Sequence, residues 1–268
     1  MTEAITSLQN RRIKDLVALG EKSRVRREQM AFPVEGRREV SRCVAAGYQI
    51  KELYWCPELL PEKDLNQVLS GLESQEAELF EVSRAVYSKI AYREGTEGVV
   101  AVVRCKNHTL EALQVGENPL VVVLESVEKP GNLGAILRTA DAAGVSAVIV
   151  CDPLCDLYNP NLLRASTGGI FTVPVAVCGS EEAAEWLKSR KLQILTAQLQ
   201  DSHPYYDIDF RRGTAIVFGT ESTGLSHFWR LQADEHVMIP MLGSLDSLNV
   251  ATSAAILCYE AVRQRISK

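Results

Sequence analysis

The chain has no long hydrophobic run. Its longest apolar stretches, such as residues 120–124 and 145–151, are far shorter than the roughly 20 residues that a membrane-spanning helix needs. The opening residues, Met-Thr-Glu-Ala-Ile-Thr, contain no apolar signal core. We therefore expect a cytoplasmic protein that is neither exported nor inserted into a membrane.

Clustered cysteines and common metal-binding motifs are also absent. The seven cysteines are scattered and odd in number, which is typical of free thiols in a reducing compartment. Cys151 and Cys155 form a close pair, but no second pair follows, and the four histidines form no His-Glu-x-x-His motif. The sequence therefore predicts no metal site.

Two nucleotide-binding signatures are missing as well. Residues 130–138 (Pro-Gly-Asn-Leu-Gly-Ala-Ile-Leu-Arg) place glycines after a strand-like run, but without the Gly-x-Gly-x-x-Gly spacing of dinucleotide-binding proteins. The chain has no phosphate-binding P-loop either. A nucleotide-dependent oxidoreductase, which we weigh as one alternative, requires the dinucleotide spacing, and its absence argues against that class.

Positive charge is scarce overall but concentrated near the start of the chain. The net charge is −5, whereas residues 11–42 carry ten basic and five acidic side chains. Residues 1–107 have a net charge of +1 and residues 108–268 a net charge of −6. Charge runs are usually solvated helix faces, yet a basic cluster is also what contacts with nucleic-acid phosphates require. The cluster includes Arg11, Arg12, Lys14, Lys22, Arg24, Arg26, Arg27, Arg37 and Arg38.

Strand-like and helix-like segments alternate along the chain, which predicts an α/β protein with two domains. We expect residues 1–107, which open with a helix over 5–28, to form a smaller α/β domain, and residues 108–117 to form a polar linker. In the larger domain, residues 118–268, the strands are continuous apolar runs, typical of a parallel sheet covered on both faces. Those strands are predicted at 120–124, 147–151, 171–177, 192–196, 214–218 and 235–239, with helices at 132–143, 161–166, 181–190 and 247–266.

Three polar, glycine-containing loops, at residues 125–138, 218–225 and 239–250, follow strands of the larger domain. Loops at the carboxyl ends of parallel strands are where α/β proteins place ligands and chemistry. The first loop leads into a helix on which Arg138 points away from the apolar stripe, given about 3.6 residues per turn. Taken alone, such an arginine is equally well explained as a solvated side chain.

The second and third loops carry further candidates. Glu221 is a single carboxylate between two glycines, although, taken alone, it is better explained as an exposed acid in a tight turn. Ser247 stands where a helix N-cap belongs, so capping alone accounts for it. Capping does not account for Asn249, a poor helix former that falls two residues inside the predicted helix.

Together the three loops resemble the three motifs of the SpoU (TrmH-type) family of the SPOUT superfamily, which are AdoMet-dependent RNA 2′-O-ribose methyltransferases. The resemblance covers residues 118–268, and residues 26–40 resemble the start of the family's N-terminal substrate-binding domain. It implies a parallel-sheet methyltransferase domain whose C-terminal segment forms a trefoil knot, a smaller N-terminal α/β domain that binds RNA, and a homodimer formed around the cofactor site.

The resemblance also implies a cofactor, S-adenosyl-L-methionine (AdoMet), held largely by backbone groups in the knotted region. By motif, the cofactor-binding positions are Thr196, Ala197, Gly219, Ile239 and Leu248. The catalytic positions are Asn132, Arg138, Glu221, Ser247 and Asn249. One departure is visible, because the family usually has glycine after the glutamate of the second motif, where this chain has Ser222.

These features predict methylation of structured RNA. We favour ribosomal RNA over transfer RNA, because a full N-terminal domain suggests recognition of a structured site. The alternatives are a tRNA 2′-O-methyltransferase and a non-catalytic RNA-binding or ribosome-assembly protein, which would predict loss of Arg138, Asn132 or the third motif. Because a guanidinium is not deprotonated in proteins, we expect Arg138 to bind a phosphate and stabilise a developing alkoxide rather than act as a base.

Overall fold

The computed structural model describes residues 3–72, 76–92, 97–220 and 222–266. These residues pack as two compact units. The first comprises Met1–Asn107 with Leu157–Arg164, and the second comprises His108–Asp156 with Ala165–Lys268. Within the described ranges, no helix has the length and apolar character that crossing a membrane requires.

The first unit is built on a five-stranded sheet with strand order β1-β4-β3-β5-β2. Strand β5 runs antiparallel to β2 and β3, while β4 is parallel to both of its neighbours. Its elements are β1 (Glu3–Ile5), α1 (Arg11–Glu21), α2 (Ser23–Gln29), β2 (Ala31–Glu35), α3 (Arg37–Ala45), β3 (Ile50–Trp55), α4 (Glu62–Leu69), β4 (Glu78–Val82), α5 (Arg84–Ile90) and β5 (Val99–Arg104).

The single helix predicted over residues 5–28 is wrong. The segment forms a short strand and two helices, because Lys22 has an extended backbone between α1 and α2. Arg26 of α2 stabilises this junction between the two helices. The residue is 3% exposed, and its guanidinium donates to the backbone oxygens of Leu19 at 2.6 Å and Gly20 at 3.2 Å, near the end of α1. Arg26 therefore serves the fold and is not presented to a phosphate, unlike the exposed Arg27.

The second unit contains a seven-stranded sheet. Its elements are β6 (Leu120–Glu125), α6 (Pro130–Ala142), β7 (Ala147–Cys151), α8 (Gly169–Thr172), β8 (Val175–Cys178), α9 (Ser180–Ser189), β9 (Gln193–Ala197), β10 (His203–Pro204), β11 (Thr214–Phe218), α10 (His227–Gln232), β12 (Glu235–Met238) and α11 (Val250–Ile266). A helix that starts in the first unit, α7 (Pro160–Ser166), ends in this one. The strand order is β10-β12-β9-β11-β6-β7-β8, and every pairing among these described strands is parallel.

The parallel sheet is covered on both faces, which confirms the predicted fold class. Every residue of β6, β7 and β11 is buried, as expected for strands rich in valine, isoleucine and leucine. One face packs against α9 and α10, with Trp186 and Trp229 in the cluster, while α6 and α11 pack against each other and contact the sheet. The apolar stripe predicted for α6 is buried, at Leu133, Ile136 and Leu137.

Two boundaries in the second unit differ from the sequence prediction by three residues or more. The strand predicted over residues 171–177 begins only at Val175, because Gly169–Thr172 forms a short helix. The last helix begins at Val250 rather than at residue 247. At residues 171–174 an apolar segment is compatible with either conformation, so hydrophobic pattern alone does not fix the boundary. At the last helix, the side chain of Asn249 caps the first turn, so the helix begins after it.

Candidate active site

A cavity of about 550 Å³ lies at the carboxyl ends of strands β9, β11 and β12. The three strands are neighbours in the parallel sheet, so the loops that leave them meet at one edge. The lining residues are Lys129, Ala197, Gln198, Leu199, Gln200, Phe218, Gly219, Thr220, Gly224, Leu225, Arg230, Val237, Met238, Ile239, Met241, Asp246, Ser247, Leu248, Asn249, Val250, Ser253 and Leu257.

The loop after β11 is a closed turn. The backbone of Thr220 and that of Gly224 exchange two hydrogen bonds, of 3.2 and 3.0 Å, and Gly224 has a φ of +67°. A Cβ on Gly219 would lie 2.3 Å from the backbone carbon of Gly224, so the turn closes only with glycine there. Glu221, the predicted catalytic carboxylate of this loop, lies outside the described residues.

The loop after β12 leads to the start of α11, where Asn249 is the capping residue. Its side-chain oxygen accepts a hydrogen bond from the backbone N–H of Ala251 at 2.9 Å. The predicted position of Asn249 two residues inside the helix is therefore wrong, and capping does account for this residue, because the helix begins one residue after it. The Ser247 hydroxyl does not cap the helix in this arrangement and instead donates to the Asp246 carboxylate at 3.0 Å.

The loop after β6 meets the third loop through two asparagines. The side-chain amide of Asn249 donates to the side-chain oxygen of Asn132 at 3.2 Å, across 117 positions of sequence. Asn132 lies in the first turn of α6, where Pro130 starts the helix. Arg138 lies farther along the same helix and is exposed, as its position opposite the buried stripe predicts.

The predicted cofactor residues fall on or beside the cavity. Ala197, Gly219, Ile239 and Leu248 line it. Thr196 is fully buried behind the lining, where its hydroxyl is 2.6 Å from the ring nitrogen Nδ1 of His236 on the neighbouring strand. Among the predicted catalytic residues, Ser247 and Asn249 line the cavity, Asn132 reaches it through Asn249, and Arg138 is not part of the lining.

Sequence reasoning missed a polar wall of the cavity formed by Gln198, Gln200 and Arg230. The Arg230 guanidinium donates to the side-chain oxygen of Gln200 at 3.1 Å, and the Gln198 amide donates to the backbone oxygen of Gln200 at 2.9 Å. Gln198 lies two residues after the predicted end of a strand at residue 196, which could have marked it. Arg230 lies within a helix and had no such signal.

Sequence reasoning also missed Glu125, which holds the second loop in place from the end of β6. Its carboxylate is 8% exposed and accepts a hydrogen bond from the backbone N–H of Ser226 at 2.8 Å. Ser226 in turn caps α10, so one acidic side chain fixes the point at which the second loop ends.

The thiols at the neighbouring strand ends do not form a metal centre. Cys151 and Cys178 are paired across β7 and β8, and the hydrogen bond of the Cys151 thiol to Cys178, together with burial, raises the pKa of Cys151 far above its ordinary value. Burial raises the pKa of Cys155 to about 11. Among the residues that the structure describes, no group of three or more histidine, cysteine or acidic side chains could hold a metal ion.

A parallel sheet covered on both faces, with a cavity built by loops at the carboxyl ends of its strands, defines an α/β ligand-binding domain of the kind that many enzymes use. Residues 119–259 match the model of the SpoU rRNA Methylase family, and residues 10–101 match that of the MRM3-like substrate binding domain. The chain belongs to the SpoU rRNA Methylase family.

Individual relatives agree with this assignment. The chain is 34% identical, over 88% of its length and 84% of the relative, to a 23S rRNA (uridine(2479)-2′-O)-methyltransferase of Streptomyces viridochromogenes. It is 29% identical, over 95% and 97%, to a 23S rRNA (guanosine(2553)-2′-O)-methyltransferase of Bacillus subtilis. Among solved structures, an AdoMet-bound rRNA methyltransferase from Sinorhizobium meliloti superposes with a TM-score of 0.91, at 30% identity and covering 99% of each chain.

The cavity fits AdoMet in size and in chemistry. Its volume lies within the range of about 300–1,000 Å³ that small-molecule sites occupy. Leu225, Val237 and Leu257 give it a buried apolar wall suited to an adenine ring. Its lining includes two basic side chains, Lys129 and Arg230, rather than the dense cluster of cations that a polyphosphate would attract.

Proposed function

We propose that this protein transfers the methyl group of AdoMet to a ribose 2′-hydroxyl of ribosomal RNA in the cytoplasm. The observation that carries the proposal is the meeting of the first and third loops, through Asn132 and Asn249, beside a cavity that Gly219, Ile239 and Leu248 line. Membership of the SpoU family and 23S rRNA methyltransferases among the relatives support the reaction and the substrate.

The cofactor site in this proposal consists of Thr196, Ala197, Gly219, Ile239 and Leu248. Four of them line the cavity, and Thr196 supports it from behind. Bound AdoMet supplies a methyl group on a positively charged sulfur, which is open to attack by an oxygen nucleophile. The apolar wall would exclude water from the bound cofactor, and the glycine turn at Gly219 would let backbone approach the ligand closely.

The catalytic set consists of Asn132, Arg138, Glu221, Ser247 and Asn249. A ribose hydroxyl is a poor nucleophile near neutral pH, so its developing negative charge must be stabilised or its proton removed. The exposed Arg138 is suited to contact an RNA phosphate and to stabilise the developing alkoxide by charge. The Asn132–Asn249 hydrogen bond holds the two loops in register, which favours the alignment of oxygen and methyl group.

RNA recognition in this proposal belongs to residues 1–107, joined through a linker at 108–117 to the methyltransferase domain at 118–268. The match of residues 10–101 to a substrate-binding domain supports this division. Several basic side chains of the first unit are exposed and suited to phosphate contacts, namely Lys14, Lys22, Arg27 and Arg38.

We further infer a homodimer and a trefoil knot, as the family resemblance implies. Leu242 and Leu245 in the third loop are 99% and 73% exposed, which is unfavourable for large apolar side chains in water. A second copy packed against this loop would cover them through an isologous contact. The packing of α11 against α6 is compatible with a C-terminal segment that is threaded through a loop.

The proposal is tested with purified protein, methyl-labelled AdoMet and unmodified ribosomal RNA. We expect label in RNA, and a dinucleotide that resists alkaline hydrolysis, because methylation removes the 2′-hydroxyl that alkali uses. If only transfer RNA is methylated, the proposed ribosomal substrate is wrong. Label on a base, or no label on any RNA, would contradict the reaction.

A further inference from the structure

The polar wall of the cavity contains two buried atoms whose hydrogen-bonding capacity is not used. These are Nε of Arg230 and the side-chain oxygen Oε1 of Gln198, and within the described ranges neither has a hydrogen-bond partner. Both residues line the cavity. Buried polar atoms are almost always paired, because burying one without a partner costs free energy, so a pair of them in one wall indicates a missing ligand.

The two atoms have opposite hydrogen-bonding character. Arginine Nε can only donate, and here it carries the charge of a guanidinium. The Gln198 oxygen, like any amide oxygen, can only accept, and the nitrogen of the same amide donates to the backbone oxygen of Gln200 at 2.9 Å, which fixes the orientation of the amide. The wall therefore offers one charged donor and one acceptor to whatever occupies the cavity.

Neighbouring contacts hold both groups in place. The side chain of Gln200 accepts a hydrogen bond from Nη1 of Arg230, which turns the Nε edge of the guanidinium to a fixed orientation. The Ser202 hydroxyl donates to the backbone oxygens of Gln198 and Gln200 at 2.9 and 3.0 Å, which stiffens the loop that carries them. A preorganised donor and acceptor lose little entropy when a ligand binds.

We propose that Arg230 and Gln198 bind the amino-acid end of AdoMet. Nε of Arg230 donates to the α-carboxylate, and Oε1 of Gln198 accepts from the α-ammonium group. This assignment rests on the proposed function and adds to it the residues that select an amino-acid zwitterion. An RNA phosphate is a poorer match, because the Nε atom is buried in the wall, whereas Lys129 of the same cavity is exposed.

The test is calorimetric and needs no catalysis. Three ligands separate the contacts: AdoMet, decarboxylated AdoMet, which lacks only the carboxylate, and 5′-methylthioadenosine, which lacks the whole amino-acid end. For the wild-type protein we expect AdoMet to bind about 10- to 100-fold more tightly than decarboxylated AdoMet, as expected for a hydrogen bond between charged groups.

Arg230→Met should remove that discrimination. Its affinity for AdoMet should fall to that for decarboxylated AdoMet, while its affinity for 5′-methylthioadenosine stays as in the wild type. Gln198→Leu should weaken binding of both ammonium-bearing ligands and leave 5′-methylthioadenosine unchanged. Arg211→Met is the matched control, because Arg211 is an exposed arginine, paired with Asp209, that does not line the cavity.

Three outcomes would overturn the inference. If Arg230→Met still prefers AdoMet over its decarboxylated form as strongly as the wild type, Arg230 does not contact the carboxylate. If it loses affinity for all three ligands equally, its role is structural. If the wild-type protein binds none of the three, the proposed function fails together with the inference, which distinguishes that case from the first two.

Discussion

The two ends of the parallel sheet in the second unit are built in opposite ways. At the amino ends of β6 and β11, Arg265 of α11 donates to four backbone oxygens, with distances between 2.8 and 3.3 Å. Burial there lowers the pKa of the guanidinium. At the carboxyl ends, glycine turns enclose a cavity in which Arg230 and Gln198 carry unpaired buried atoms.

This difference separates stability from function within one domain. At the amino end, Arg265 satisfies four backbone oxygens within the protein, so it anchors the last helix. The carboxyl end leaves polar groups unpaired in a wall that a ligand can complete. Changes at the amino end should therefore alter the free energy of unfolding, and changes at the carboxyl end should alter AdoMet binding and turnover.

The largest effect is expected for Arg138→Ala on the helix that leaves the carboxyl end of β6. Turnover should fall by about 100- to 1,000-fold, the usual loss when one charge-stabilising group is removed. AdoMet affinity, measured by calorimetry, should change less than about twofold, since a rate effect without a binding effect is the mark of a transition-state contact. Arg138→Lys should also be poor, because lysine lacks the planar fork. Near-normal turnover of Arg138→Ala would show that Arg138 is a solvated surface residue without a role in catalysis.

The second effect concerns the glycine turn after β11. Gly219→Ala should weaken AdoMet binding by about tenfold or more, because the new Cβ would meet the backbone of Gly224 at 2.3 Å and force the turn open. Gly116→Ala is the control, since a Cβ there has no atom within 4 Å. The separation of the two ends would break if Gly219→Ala lowered the free energy of unfolding but left AdoMet affinity intact.

The third effect concerns the anchored end. Arg265→Met should lower the free energy of unfolding by about 2–3 kcal/mol, because several partly buried carbonyl oxygens lose their donors. Urea denaturation measures this change, and calorimetry should show an unchanged affinity for AdoMet. Arg211→Met, at an exposed arginine, should change stability by about 0.5 kcal/mol or less. Lost AdoMet affinity in folded Arg265→Met would show that the two ends are coupled.

The smallest effect is expected in the first unit, remote in sequence from the cavity loops. Reversing Lys14, Lys22 and Arg27 to glutamate should lower RNA affinity and reduce the slope of log affinity against log salt by roughly two units. The conservative set Lys14→Arg, Lys22→Arg and Arg27→Lys keeps the charge and should keep the slope. Arg26 is left unchanged, because its side chain is buried and bonded to backbone oxygens. An unchanged salt slope in the charge-reversed variant would show that these three side chains are solvated and do not contact RNA.

Much of the parallel sheet could be predicted from sequence, because its strands are short continuous apolar runs, which are typical of a sheet covered on both faces. The strands at Ala147–Cys151 and Thr214–Phe218 have the predicted bounds. The burial of Leu133 and Leu137 and the exposure of Arg138 also followed from helical periodicity. These features depend on local pattern, which a single sequence contains.

The features that escaped prediction depend on contacts that are distant in sequence. Leu157–Arg164 packs with the first unit although it lies within the second half of the chain, and no local pattern records that. The helix predicted from residue 247 begins only at Val250, so Asn249 is a cap rather than a residue inside the helix. Gln198 and Arg230 come from different elements, and only the fold brings them to one wall.

The most direct test of the proposed function is mass-spectrometric mapping of 2′-O-methylated nucleotides in total RNA from cells with and without this gene. We expect one methylated ribosomal nucleotide to disappear on deletion and to return with the wild-type gene but not with Arg138→Ala. A map that is identical in the presence and absence of the gene would contradict the proposed methyl transfer, and a loss confined to transfer RNA would contradict the ribosomal substrate.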